Sequence, residues 1–232
     1  MREIVLDTET TGFEPEQGDR IVEIGAVELF NHMPTGRTFH KYINPQRAMP
    51  QGAFEVHGLG DDFLRDKPLF AEIAQDFLDF IQDAKLVIHN AAFDMKFLNA
   101  ELGWLKMPQL PWEQAIDTLA IARKKFPGSP ASLDALCRRF SIDNGARTLH
   151  GALLDSEILA EVYLELIGGR QPDLVLSDTQ NISRNPKQDS SGDWRVQPRP
   201  NPLAPRITKE EAVAHQAFID KMGDGALWKK LG

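Results

Sequence analysis

Two acids one residue apart, Asp7 and Glu9, stand in IVLDTE, an apolar β-branched run that predicts a buried strand. Alternate residues of a strand leave the same face, so both carboxylates emerge together. Like charges near a core are costly unless a cation neutralises them, and hard divalent ions favour such oxygens. A solvated strand end is the plainer alternative. Asp94 falls early in the helix predicted for AAFDMKFLNAEL, where the helix dipole favours an acid. It also precedes Phe97 and Leu98 by three and four positions and so borders the inward stripe. Asp155, Leu159, Val162 and Leu166 share one helical stripe, which puts a carboxylate on an apolar face. Metal coordination or a buried Arg partner would resolve that conflict. His150 is about 140° from Asp155 on a continuous helix, but Gly151 lets the helix begin after it, leaving the imidazole on a loop. Imidazole accepts a proton near neutral pH; a surface or capping histidine is the other reading. Four acids and one base make the inventory for two-metal attack of water on phosphorus.

The elements that must position these groups can be read from periodicity. A first strand covers residues 4–9, a turn follows in TTGFEPEQGD, and a second strand covers IVEIGAVELF. Asn31–Gly36 has hairpin character, with a third strand over RTFHKYIN. Phe70, Ile73, Ala74, Phe77, Phe80 and Ile81 mark a helix between Leu69 and Asp83. LVIHN reads as a strand, with Asn90 as N-cap of the next helix. A short strand near Ala115–Thr118 leads into a helix ending before Pro127, Ser132 caps LDALCRRF, and Gly151–Ile167 is a long amphipathic helix. A strand meander followed by strand–helix alternation predicts an α/β fold: a mixed sheet with helices on its faces.

Beyond Gly168-Gly169 the composition shifts. Residues 171–206 hold 6 of the 15 prolines without periodicity and read as a flexible linker between a domain over 1–170 and a tail over 207–232. Thr208 and Glu211 form a capping-box pattern that opens a short helix bearing Val213, Phe218, Ile219 and Met222, with Trp228 and Leu231 beyond. An isolated helix of about 14 residues is marginal in water, so its apolar face calls for a partner surface.

The 232 residues carry a net charge of −8, no apolar run long enough to cross a bilayer, no secretory leader pattern, and a lone Cys137. These features argue against a membrane, secreted or disulfide-framed protein and point to the cytoplasm. Residues 1–170 contain 17 basic and 26 acidic side chains, without the basic footprint of a tight DNA binder. Arg123-Lys124-Lys125 and Arg138-Arg139 read as solvated helix faces, with phosphate contact as the alternative.

The ordered set VLDTETTG, VIHNAAFD, SLDALC and TLHGALLD resembles the three motifs of the DEDDh exonucleases, and most nearly the proofreading subunits of bacterial DNA polymerase III. The likeness spans residues 1–170. It implies an RNase H-like fold, a mixed five-stranded sheet flanked by helices with the second strand antiparallel to the rest. It also implies 3′→5′ hydrolysis of a DNA end with two divalent ions, Mg²⁺ or Mn²⁺, and release of 5′-mononucleotides. On that likeness Asp7, Glu9, Asp94 and Asp155 would hold metal and His150 would be the general base. Asp7, Thr8, Glu9, Thr10, Val56, His57, Phe93 and Asp155 would contact the terminal nucleotide. Gly52 departs from the pattern, since relatives often carry an acid there. His89 reads as structural.

Gln171, Leu174 and Leu176 resemble the Q-x-x-L-x-L peptide by which polymerase components dock on a sliding clamp. Segment 208–231 resembles the tail that tethers such a subunit to the polymerase III catalytic (alpha) subunit, which would raise the exonuclease's local concentration at a primer end. A small accessory subunit on the exonuclease domain is a further possible partner. Two rival readings stay open: an RNA-trimming member of the same family, and a non-catalytic bridge between polymerase and clamp.

Overall fold

In the computed structural model, described over residues 1–145, 149–168 and 207–223, strand β1 (Arg2–Thr10) runs through the middle of a five-stranded sheet of order β3-β2-β1-β4-β5. Strands β2 (Ile21–Phe30) and β3 (Met33–Tyr42) extend it on one side in antiparallel fashion. On the other side β4 (Lys85–Ile88) and β5 (Ala115–Asp117) run parallel to β1. Only β2 opposes the rest, which is the RNase H-like topology expected. A central strand covered on both faces must be apolar in both registers. Ile4 and Leu6 accordingly join one core cluster and Val5 the other, all fully buried.

Helices α3 (Phe70–Ile81) and α4 (Ala91–Trp104) cover the first face, packing Phe77 and Phe97 over Ile4, Leu6 and Ile24. Helices α5 (Thr118–Lys125), α6 (Leu133–Phe140) and α7 (Ala152–Leu166) cover the second, where Leu136, Leu159 and Val162 meet Val5, Val27 and Val87. Asp117 caps α5 by accepting from the Leu119 N–H, and Ser132 caps α6 through the Ala135 N–H, as predicted for Ser132.

Three local expectations change. The β2–β3 turn is only Asn31 and His32, both at positive φ (50° and 66°), the geometry that matches strand twist in two-residue hairpins. Strand β3 therefore starts at Met33, and Pro34 is tolerated because this is an edge strand. Asn90 occupies the N-cap position of α4 but in the left-handed region (φ 68°), and its side chain makes no capping bond; asparagine is among the few residues that adopt that conformation readily. Finally, residues 51–64 form two short helices that periodicity did not disclose, α1 (Gln51–His57) and α2 (Asp61–Leu64). Segments this short, with Gly52 inside and Gly58 ending α1 at φ 74°, carry too few turns for a stripe.

The chain forms two compact units, Met1–Leu176 and Ser177–Gly232. In the second unit, α8 (Lys209–Met222) begins at the predicted capping box: Thr208 Oγ1 accepts the Glu211 N–H, and Glu211 Oε2 accepts the Thr208 N–H. The predicted linker, the clamp peptide with Gln171, Leu174 and Leu176, and Trp228 and Leu231 lie outside the described residues.

Candidate active site

Side chains alternate along β1, so Val5, Asp7 and Glu9 face α7 while Ile4, Leu6 and Thr8 face α4. Asp155 comes up from the first turn of α7 and is buried beside them. Ligand atoms of Glu9, His150 and Asp155 all lie within 4.8 Å of one another, and Asp7 shares a cleft wall with His150 and Asp155. His150 stands on the segment before α7, as Gly151 suggested; its Nδ1 is 3.3 Å from Asp155 Oδ2. The backbone N–H of His150 donates to the Val56 carbonyl at 3.1 Å, which ties this segment to the end of α1.

Asp94 approaches from the opposite layer. It is buried in the first turn of α4, where the Thr8 hydroxyl donates to its Oδ1 at 2.7 Å. Burial pushes this carboxyl up to about 7; the Thr8 bond partly counters the shift and the Asp117 charge adds to it. Residues more than 140 positions apart thus meet at one strand end. Of the five sequence-predicted acid and base residues, Glu9, His150 and Asp155 form the tight group, Asp7 lines the same cleft, and Asp94 joins through its bond to Thr8.

The close approach of α7 to the sheet depends on Gly25, which the sequence reading did not single out. Gly25 is the ladder partner of Asp7 on β2, and a Cβ there would lie 2.1 Å from the Leu153 nitrogen. The Ser156 hydroxyl completes the contact by donating to the Gly25 carbonyl at 2.9 Å. A lone glycine inside a strand is the signal of close backbone approach, and it was present in IVEIGAVELF.

Two clefts flank the carboxylates. The first, about 500 Å³, is lined by Thr8, Glu9, Thr10, Val56, His57 and Phe93, the substrate residues expected there, and by Phe13. Phe13, also absent from the sequence reading, is largely exposed and meets Phe93 edge-on at 6.3 Å. The ladder register shifts directly after Glu9, and the turn beyond is pinned by Thr11 and Arg20, whose guanidinium makes two 2.7 Å bonds to buried Glu101. His57 is buried; its Nδ1 accepts the Leu59 N–H, and its Nε2 makes no well-aligned hydrogen bond. Burial lowers its pKa, the backbone of Thr10 partly opposes that and nearby His150 adds to it, and with Nδ1 accepting, Nε2 is the nitrogen that carries the hydrogen. A Cβ at Gly52 would meet open space. The second cleft, also about 500 Å³, is lined by Asp7, His150 and Asp155 together with Asn90, Arg123 and Ser132. His89 also borders it, with Nδ1 2.9 Å from Thr118 Oγ1, whose hydroxyl donates to the Ile88 carbonyl.

The residues fit a divalent cation. The donors are carboxylate oxygens and an imidazole, Glu9, Asp94 and Asp155 are nearly inaccessible, and Glu9, Asp155 and His150 crowd within ligand spacing of one another. Residues 4–163 match the family model described as Exonuclease. The chain belongs to the exonuclease family. It is 52% identical over 229 residues to the DNA polymerase III subunit epsilon of Rickettsia felis, covering 96% of this chain and 97% of that one. The Escherichia coli subunit of the same name is 46% identical over 243 residues, covering 98% and 97%. Among solved structures, exonuclease X in complex with 5′ overhanging duplex DNA matches with TM-score 0.54 and 26% identity, over 71% of this chain and 90% of that one. The nuclease domain of 3′hExo, a DEDDh family member bound to rAMP, shares the fold (TM-score 0.61, 20% identity, 72% and 91% covered). The chain is thus a 3′→5′ exonuclease of the proofreading epsilon type, and its family is dependent on divalent metal.

Proposed function

We propose that this chain removes mispaired nucleotides from the 3′ end of DNA for a replicative polymerase, with Asp7, Glu9, Asp94 and Asp155 holding two Mg²⁺ or Mn²⁺ ions and His150 as general base. The observation that carries the reading is the convergence of buried Glu9 and Asp155 with His150 at the end of β1. The bound ions supply an activated water and stabilise the leaving 3′-oxygen. The protein's own work is placement and proton transfer. His150, with Nδ1 3.3 Å from Asp155 Oδ2, stands beside the carboxylates, where its imidazole would take a proton from the attacking water and its half-exposed ring pass it to solvent. The scissile phosphodiester is cleaved directly, giving a 5′-mononucleotide and a shortened 3′-hydroxyl.

The first cleft receives the terminal nucleotide. The Nε2–H of His57, which makes no well-aligned hydrogen bond, is a donor for its 3′-oxygen, while Val56 and Phe93 present apolar surface to the base and Thr8 and Thr10 line the sugar side. Seating a base here requires unstacking it from the duplex, which costs least at a mismatch. In the tail, Val213, Phe218 and Met222 are exposed on α8, an apolar face suited to the alpha subunit. Docking there, and clamp binding through Gln171, Leu174 and Leu176, would supply the duplex grip that an acidic domain lacks. A small accessory subunit would complete the assembly. Among the described residues no helix is long and apolar enough to cross a membrane, consistent with work in the cytoplasm.

The test is release of nucleotides by the full chain from matched DNA and RNA oligomers, with Mg²⁺, Mn²⁺ or EDTA. DNA hydrolysis abolished by EDTA and by Asp7→Ala supports the reading. A strong preference for RNA, or activity unchanged by Asp7→Ala, defeats it.

A further inference from the structure

A strand being shortened has two parts, the nucleotide about to leave and the chain that stays. The proposed function accounts for the first only. The walls of the two clefts differ in charge. The lining of the first cleft holds no lysine or arginine, and the cations at its edge are already committed, Lys96 to Glu14 (2.8 Å) and Arg47 to Asp19 (2.7 Å), so it suits one terminal nucleotide and offers no free cation to a further phosphate. The second cleft opens from the same carboxylates on the other side, through Asp7, His150 and Asp155, and its lining includes the guanidinium of Arg123.

Arg123 is exposed in the last turn of α5 and makes no hydrogen bond or ion pair with the other described residues, whereas its neighbour Lys125 is spent on the Leu166 carbonyl at the end of α7. Asp134, the acid on this wall outside the catalytic group, already accepts from the Asn144 side chain. Asn90 and Ser132 add neutral polar groups. An unpaired guanidinium beside a polar cleft of nucleotide size is matched to a phosphodiester, which it can grip with two parallel N–H bonds.

We infer that the second cleft seats the penultimate nucleotide and that Arg123 anchors the first phosphate upstream of the scissile one. Arg123 is then a positioning residue: it holds the retained chain so that the scissile bond stays over the carboxylates after each cut. The inference rests on the exonuclease reading above. It singles out Arg123 from a basic cluster for which the sequence pattern favoured a solvated face and left phosphate contact as the alternative.

The experiment compares two substrates on the full chain. A DNA oligomer has an upstream phosphate; the p-nitrophenyl ester of thymidine 5′-phosphate has a terminal nucleotide and a scissile bond and nothing upstream. Arg123→Gln is expected to raise KM for the oligomer about tenfold and to lower the salt slope of binding by about one charge, leaving ester hydrolysis unchanged. A neutral methylphosphonate at the first upstream linkage should weaken the parent by the same factor and Arg123→Gln no further. Equal losses on ester and oligomer, or additive losses with the methylphosphonate, would overturn the assignment, as would an unaffected oligomer KM. Failure of the parent to cut either substrate would instead strike the exonuclease reading itself.

Discussion

Strand β1 carries buried carboxylates at both ends, and the two ends treat them in opposite ways. At the start of the strand, Glu3 is fully buried, but its Oε1 accepts the Tyr163 hydroxyl (2.8 Å) and its Oε2 lies 2.8 Å from His32 Nδ1, close enough for an ion pair though not aligned as a hydrogen bond. Glu3 in turn raises the Tyr163 pKa further above its usual value, adding to burial. At the far end, the chain gathers Asp7, Glu9 and Asp155 from two elements on one face and brings Asp94 in from the other. A carboxylate matched with donors belongs to the fold; carboxylates packed against one another call for cations from outside. The same helix serves both ends, since α7 carries Asp155 in its first turn and Tyr163 two turns later.

The sharpest break between the ends is in activity. Asp7→Ala or Asp155→Ala should lower nucleotide release by about 10³-fold or more, because each removes several kcal/mol of metal-borne stabilisation. In EDTA the same variants should melt no lower than the parent, since a crowded charge has gone. A large drop in thermal midpoint without metal would show that these acids also serve the fold, and the contrast would fail.

Gly25→Ala tests what couples the sheet to α7. The added methyl meets backbone atoms that cannot rotate away, so a stability loss of about 1–3 kcal/mol is expected, as for other overpacked sites. Shifting the first turn of α7 by an ångström displaces Asp155, and a further activity loss of about 10²-fold should appear in protein that is still folded. Urea melts and single-turnover rates on the same samples separate the two effects.

Tyr163→Phe should do the reverse. Leaving Glu3 without its phenolic donor costs about 1–3 kcal/mol in a denaturant melt, while turnover of a DNA oligomer by the folded fraction stays within about twofold of the parent. Loss of activity beyond that would mean the Glu3 end steers α7 as well as fastening it.

These contrasts were unevenly legible in the sequence. The stripe through Asp155, Leu159, Val162 and Leu166 disclosed an acid on an apolar face, and alternation paired Asp7 with Glu9. Those are local periodicities, and periodicity is what a sequence displays directly. Glu3 gave no such sign, because its partners His32 and Tyr163 lie 29 and 160 residues away and only the packed sheet brings them close. The Thr8–Asp94 bond and the place of Arg123 on a cleft wall are likewise products of tertiary packing across two layers. Gly25 differs: its signal was visible, but many strand glycines mark bulges, and only the position of α7 shows which meaning applies.

The finest test of the contrast is the proton on Asp94. In metal-free protein its pKa is raised from 3.8 to about 7, chiefly by burial. Between those values the folded state keeps a proton that the unfolded chain has released, so this group makes stability fall as pH rises through that window and adds no slope above it. Asp94→Asn cannot ionise and should flatten that part of the profile, with a midpoint less sensitive to pH between about 4 and 7 in EDTA. Metal binding must displace the same proton, because a cation coordinates the carboxylate and not the acid. Mn²⁺ titrated into the parent at pH 6 should therefore release close to one proton more than at pH 8, measured calorimetrically in buffers of different ionisation enthalpy. The difference should shrink markedly in Asp94→Asn. Equal release at both pH values would mean that Asp94 is already ionised in the folded chain, and that the catalytic end of β1 tolerates its charges without outside help, as the Glu3 end does.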